Sequence, residues 1–187
     1  QLLGSDLFNL AETAKTAVEL GAPGIDLNFG CPAKTVNRHD GGATLLKDPD
    51  RVYQVVHAVR RVVPESVPVT AKVRLGYDHK QNVEAIAKAA ESGGAARLTV
   101  HARTKLEGYQ PPAHWEYIGK MRQCVSIPVV ANGDIWSLQD YFACREITGC
   151  EDIAIGRPAM AFPDLALQIK YHGQSDVVGP KPLSWPQ

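Results

Sequence analysis

Asn28-Phe29-Gly30-Cys31-Pro32 sets a thiol just past a short apolar run, with Gly30 able to turn the chain sharply and Pro32 stiffening its exit. A cysteine presented at the end of a strand can work as a nucleophile or as an acid. The nucleophile would need a histidine base, and His39, His101 and His114 stand at spacings that favour none of the three. Cysteine is also a small residue that packs well. Type and spacing alone therefore leave chemistry and packing both open at Cys31.

Charged residues recur at comparable places. Lys72 and Arg74 flank Val73 and so share one side of a strand; a lysine on the inner side of a sheet is costly unless it meets an anion. His101 and Arg103 repeat the arrangement on the next strand. Asn132-Gly133-Asp134 and Gly156-Arg157 end two further strands, where backbone N–H groups, a helix N-terminus and a cation together suit a phosphate. Lys34 and Arg38 follow Cys31, while Lys105, Tyr109 and His114 follow Arg103, adding charge and aromatic surface of the kind that meets nucleic-acid phosphates and bases. Trp115, Trp136 and Tyr141 fall at helix starts or faces and read as packing. Cys124, Cys144 and Cys150 lack partners at ligand spacing, so no metal is expected.

Such groups act together only if the strands that carry them end together. Leu7, Leu10, Ala11, Ala14, Ala17 and Val18 recur at helical spacing after the candidate caps Ser5 and Asp6, with Gly21 as a stop. Residues 24–28 predict a strand, followed by a polar loop through Gly42 and a helix opened by Asp48-Pro49, with Val52, Val55, Val56 and Val59 on one face. Further strands are predicted over 67–74, 97–101, 127–131 and 152–155. Helices fall between them around Val83 to Ala90, Trp115 to Arg122 and Leu138 to Ile147.

Strands alternating with helices imply an α/β fold with a parallel sheet. Polar residues gather at the C-terminal ends of successive strands and no single Gly-rich loop dominates, which favours a (β/α)8 TIM barrel over an open doubly wound sheet. Five complete strands and the tail of another make this a truncated barrel, without its first two strands and most of its third. Residues 1–172 are expected to form that domain. Residues 173–187, with Gly179-Pro180-Lys181-Pro182 and Trp185-Pro186, read as a linker toward a further domain.

A chain of 187 residues that is 44% hydrophobic can bury one sizeable core. Lysine plus arginine (20) balance aspartate plus glutamate (20), so the sequence lacks the strong positive field of a general nucleic-acid binder, and any RNA must be held locally. Single, scattered cysteines and the lack of a long apolar run predict a reduced, cytoplasmic protein with no membrane span. The opening Gln1-Leu2-Leu3-Gly4 reads as the tail of a strand whose earlier part lies upstream.

In their order and spacing, Asn28-Phe29-Gly30-Cys31-Pro32, Lys72-Val73-Arg74, His101-Ala102-Arg103-Thr104, Asn132-Gly133-Asp134 and Ile155-Gly156-Arg157 resemble the tRNA-dihydrouridine synthases over nearly the whole chain. The stretches from Asn37 to Leu46 and from Gly133 to Trp136 most resemble the bacterial branch that acts on uridine 16 of the tRNA D-loop. The resemblance implies an FMN-dependent oxidoreductase that draws electrons from NADPH and reduces uridine in tRNA to 5,6-dihydrouridine. A hydride reaches C6 of the ring, and Cys31 protonates C5.

By the same resemblance Gln1 and Lys72 contact the isoalloxazine ring, and His101, Asn132, Gly133, Asp134, Gly156 and Arg157 surround the ribityl chain and phosphate. Asn28, Lys34, Arg74 and Arg103 meet the tRNA. The family's helical C-terminal tRNA-binding domain is not in this sequence. A monomer is expected, with tRNA as partner. The competing expectations are an FMN barrel acting on free pyrimidines, of the dihydroorotate or dihydropyrimidine dehydrogenase kind, and a noncatalytic fragment.

Overall fold

The computed structural model describes residues 1–172, so the expected linker at 173–187 lies outside the described residues. Five strands run parallel in the order of the chain: β1 (Ile25–Asn28), β2 (Val69–Arg74), β3 (Arg97–His101), β4 (Val129–Asn132) and β5 (Ile153–Ala154). Leu2 adds a parallel bridge on the outer side of β1, donating its N–H to the Asp26 carbonyl at 2.8 Å and accepting from Asn28 N at 2.9 Å. This is the strand tail expected at Gln1 to Gly4.

A doubly wound sheet reverses its strand order at a switch point. Here each strand pairs with the next, and the helices follow one another in the same way. Helices α1 (Leu7–Glu19), α3 (Pro49–Val62), α4 (Val83–Ser92), α5 (Trp115–Gln123) and α6 (Leu138–Thr148) pack as successive neighbours. Sheet and helices together trace an arc of a (β/α) barrel.

The register divides the sheet into two unlike faces. Ile25 pairs with Val69, Ala71 with Leu98, and Val100 with Ala131, so one face is apolar in every strand from β1 to β4 and is buried under the helices. Against it lie Val52, Val55, Val56 and Val59 of α3 and Val83, Ile86, Ala87 and Ala90 of α4. Each such valine contributes about 1.5–3 kcal/mol by burial. The opposite face carries Asp26 and Asn28, Thr70 and Lys72, Thr99 and His101, and Asn132, aligned row by row. Alternation along each strand fixes this division, because a one-residue slip would turn Lys72 into the core.

The stretch expected as a polar loop through Gly42 contains α2 (Lys34–Arg38) and leads at Gly42 into a 3-10 segment (Gly42–Lys47) whose Leu45 and Leu46 are fully buried. Five- and six-residue elements are too short to show periodicity, and side-chain bonds hold them. Asn37 Nδ2 donates to the carbonyls of Ala33 at 2.8 Å and Cys31 at 2.9 Å. Beyond β5 two unanticipated helices follow, α7 (Pro158–Ala161) and α8 (Leu165–Tyr171).

Candidate active site

At the C-terminal ends of the strands lies a pocket of about 440 Å³, within the ~300–1,000 Å³ usual for cofactor sites. Its wall brings together eleven of the predicted residues: Gln1, Asn28, Cys31, Lys72, Arg74, His101, Asn132, Gly133, Asp134, Gly156 and Arg157. Lys34 stands on α2, exposed and outside that wall, and Arg103 lies behind it.

Main-chain bonds fix the thiol end. The Cys31 carbonyl accepts from Ala43 N at 3.1 Å and from Asn37 Nδ2, whose Oδ1 in turn accepts from Thr44 Oγ1 at 2.8 Å. Gly42 closes against this carbonyl with φ +61°, and a Cβ there would lie 2.8 Å from the Cys31 oxygen. Only glycine fits both the conformation and the approach. Gly30 N donates to Asn28 Oδ1 at 2.9 Å, and the Gly30 carbonyl accepts from Arg74 Nε at 2.8 Å. Arg74, 2% exposed, also donates to the carbonyls of Thr104 at 3.1 Å and Gly108 at 2.8 Å, tying the loops after β1 and β3 to the end of β2.

In the same wall as Cys31 sits Lys72, half-buried, with no carboxylate within ion-pair distance and no hydrogen-bond partner among the described residues. Burial lowers its pKa, Arg74 lowers it further, and Asp26 works in the opposite sense. His101 is held neutral: burial first, then the positive charges of Arg74, Arg103 and Lys72, push its pKa down to about 3.

The far end is organised by charge. Asn132 Nδ2 donates to the Ala154 carbonyl at 2.8 Å, and the Gly133 carbonyl accepts from Trp115 Nε1 at 2.8 Å, so Trp115 braces the turn after β4. Gly133 adopts φ +126°, with His101 Cδ2 only 3.2 Å from where a Cβ would stand. Asp134 follows at φ +52°, its carboxylate paired with Arg103 and 3.8 Å from Arg157 Nη2. The trio keeps a net positive charge and leaves Arg157 half-exposed, over the rings of Tyr109 at 4.7 Å and Trp136 at 5.8 Å. At Gly156 a Cβ would meet nothing within 4 Å, so the turn after β5 borders open space.

Three placements differ from expectation. Arg103, expected to touch tRNA, is fully buried and occupied by Asp134 and the Gln110 carbonyl, so it presents no surface to a substrate. Trp136, expected as packing, is 40% exposed and lines the pocket. Tyr109, read only as rim surface, reaches into the wall between Arg74 and Arg157. Its position depends on the long loop after β3, and nothing in local spacing reports it.

Residues 1–185 match the family model described as Dihydrouridine synthase (Dus). The chain is 55% identical over 185 residues to the tRNA-dihydrouridine(16) synthase of Pseudomonas syringae pv. tomato, covering 99% of this chain and 58% of that protein. It is 56% identical over 172 residues to the enzyme of the same name from Neisseria meningitidis serogroup A, covering 92% of this chain and 52% of that one. The chain thus spans little more than half the length of these curated relatives. Among solved structures, D-glucarate dehydratase from Agrobacterium tumefaciens aligns with a TM-score of 0.66 at 14% identity, over 90% of this chain and 40% of that one. A mandelate racemase/muconate lactonizing family protein from Azoarcus sp. EbN1 aligns at 0.56 and 16% identity, over 82% and 34%. At such identities these two likenesses concern the fold alone. The motifs at the strand ends and the match along the chain agree: this chain belongs to the dihydrouridine synthase family.

Proposed function

We propose that this chain carries the catalytic centre of an FMN-dependent enzyme that uses NADPH to reduce uridine 16 in the D-loop of tRNA to 5,6-dihydrouridine. The observation that carries the reading is the half-buried, unpartnered ammonium of Lys72, in one pocket with Cys31 at one end and Arg157 at the other. A cation left without an anion inside a pocket implies an electron-rich ligand. A phosphorylated, elongated one also accounts for Arg157 and the open space at Gly156.

The residues present fit FMN. Gln1 and Lys72 would hold the ring system, with the ammonium at its electron-rich edge. His101, Asn132, Gly133, Asp134, Gly156 and Arg157 would hold the ribityl chain and phosphate. Asp134 acts here by orienting Arg157, and Arg103 acts by holding Asp134. When bound, the flavin supplies the hydride for C6 of the uracil ring. Cys31 donates its thiol proton to C5, where hydride addition leaves enolate-like charge. Neutral His101 adds no competing positive charge beside the phosphate cation. Asn28 faces the target base, with Lys34 and Arg74 on the tRNA side of the pocket.

The test is the visible spectrum of the purified chain after FMN addition and desalting, beside Lys72→Met. Retention of a flavin band near ~450 nm by the unaltered chain, and its weakening in the variant by roughly tenfold or more in affinity, is expected, since a hydrogen bond to a charged group contributes about 1.5–3 kcal/mol. Equal flavin affinity in both proteins would remove Lys72 from the site.

A further inference from the structure

Lys47 ends the 3-10 segment that backs Cys31, Tyr77 follows β2, and Lys105 follows β3, so the three meet on the rim beside the pocket and outside its wall. Lys47 Nζ sits 4.1 Å from the centroid of the Tyr77 ring. Lys105 Nζ sits 4.9 Å from the same centroid and 3.5 Å from the Tyr77 hydroxyl. The two ammoniums can be no farther apart than the sum of the two centroid distances. Their loops are fixed to each other: Lys105 N donates to the Gly76 carbonyl and Leu106 N to the Tyr77 carbonyl, both at 3.0 Å.

Like charges gathered on one ring repel, and each ring contact returns only about 0.5–1 kcal/mol at an exposed site. The acidic groups on these loops are engaged elsewhere. Glu107 pairs with Lys80 and His114, Asp40 with Arg51 at ion-pair distance while only feeling Lys47 from farther off, and Asp78 with His79, while Asp48 accepts from Asp50 N at the start of α3. Among the described residues neither Lys47 nor Lys105 has a carboxylate within ion-pair distance. A protein whose formal charge balances to zero thus concentrates two unpaired ammoniums on a single aromatic post.

The geometry points to a binding site for the phosphodiester backbone of the RNA that enters the pocket, with Lys47 and Lys105 as point charges on phosphates flanking the target uridine and Tyr77 holding both in place. This rests on the tRNA reading above. Lysine meets phosphate as a point charge, and such contacts set register rather than read sequence. A 3-10 segment advances about 2.0 Å per residue, so Lys47 lies roughly 10 Å from the main chain at Cys31, within reach of a neighbouring nucleotide. Two solvated ammoniums favour a polyanion, which releases condensed counterions on binding, over a lone phosphate.

The test is equilibrium binding of unmodified tRNA across about 50–200 mM salt. It compares the unaltered chain, the rim variant Lys47→Gln with Lys105→Gln, and a control, Lys15→Gln with Lys88→Gln, that removes equal charge from the outer helices α1 and α4. The rim variant should flatten the slope of log affinity against log salt by about 1.4, from roughly 0.7 per single-strand phosphate contact, with the flavin band unaltered. The control should leave the slope as it was. An unchanged slope in the rim variant, equal flattening in the control, or no tRNA binding by the unaltered chain would each overturn the site. The flavin reading is judged separately, on the visible band.

Discussion

At one end of the pocket Cys31 is fixed by main-chain geometry, whereas at the other Arg157 is aimed by charge. The first end relies on Gly42 pressed against the Cys31 carbonyl, on Asn37 and Ala43 donating to it, and on Arg74 gripping Gly30. The second relies on Asp134, which faces a fully buried Arg103 on one side and a half-exposed Arg157 on the other. On the proposed reading, proton delivery to one carbon would tolerate little displacement and call for backbone constraint. A phosphate would be a diffuse, multivalent target that a half-exposed side chain can satisfy.

The contrast breaks most visibly at Cys31. Cys31→Ala should keep flavin affinity and lose about 10²–10⁴-fold in dihydrouridine formation, the usual worth of a positioned general acid; unaltered turnover in a tRNA assay would remove it from the chemistry. At the charge-built end, Asp134→Ala leaves Arg103 buried without its counterion and should cost about 3–5 kcal/mol in denaturant unfolding. A loss below 1 kcal/mol would mean that the guanidinium finds other partners.

Between the two ends, His101 reports on burial. Its folded pKa of about 3 lies below the unfolded value near ~6.5, so the unfolded chain binds the extra proton within that window. Stability should therefore fall as pH drops from about 6.5 toward 3, by at most about 1.4 kcal/mol per unit. His101→Asn should flatten the curve, and an unchanged acid profile would place the sensitivity elsewhere. Gly42→Ala should cost at least about 1–2 kcal/mol, the strain of a left-handed alanine, with the push of its Cβ on the Cys31 carbonyl added to that. Turnover should drop with flavin retained, and full activity would show that Cys31 tolerates movement of its carbonyl.

Much of this was legible in the sequence because strands alternate. Lys72 and Arg74 could be placed on the inner face from their two-residue spacing, and Asn132 and His101 from their positions at strand ends. The valines at 52, 55, 56 and 59 announced α3 by their period. What spacing could not report depends on distant partners. The burial of Arg103 follows from Asp134, thirty-one residues away. Trp136 lines the pocket with Arg157, from the turn after β5, over its ring. The 3-10 segment under Cys31 is held by Asn37 and Thr44, which look like ordinary loop residues until the fold brings them together.

Arg74 donates to the oxygens of Gly30, Thr104 and Gly108, and all three are main-chain carbonyls. A grip on carbonyls is indifferent to the side chains at Gly30 and Thr104, while Gly108, at φ +61°, keeps a backbone that favours glycine. The loops after β1 and β3 can thus exchange residues, and with them the details of what they recognise, while the frame around the thiol keeps its shape. One buried arginine separates the part of the rim that must be inherited intact from the part that is free to vary.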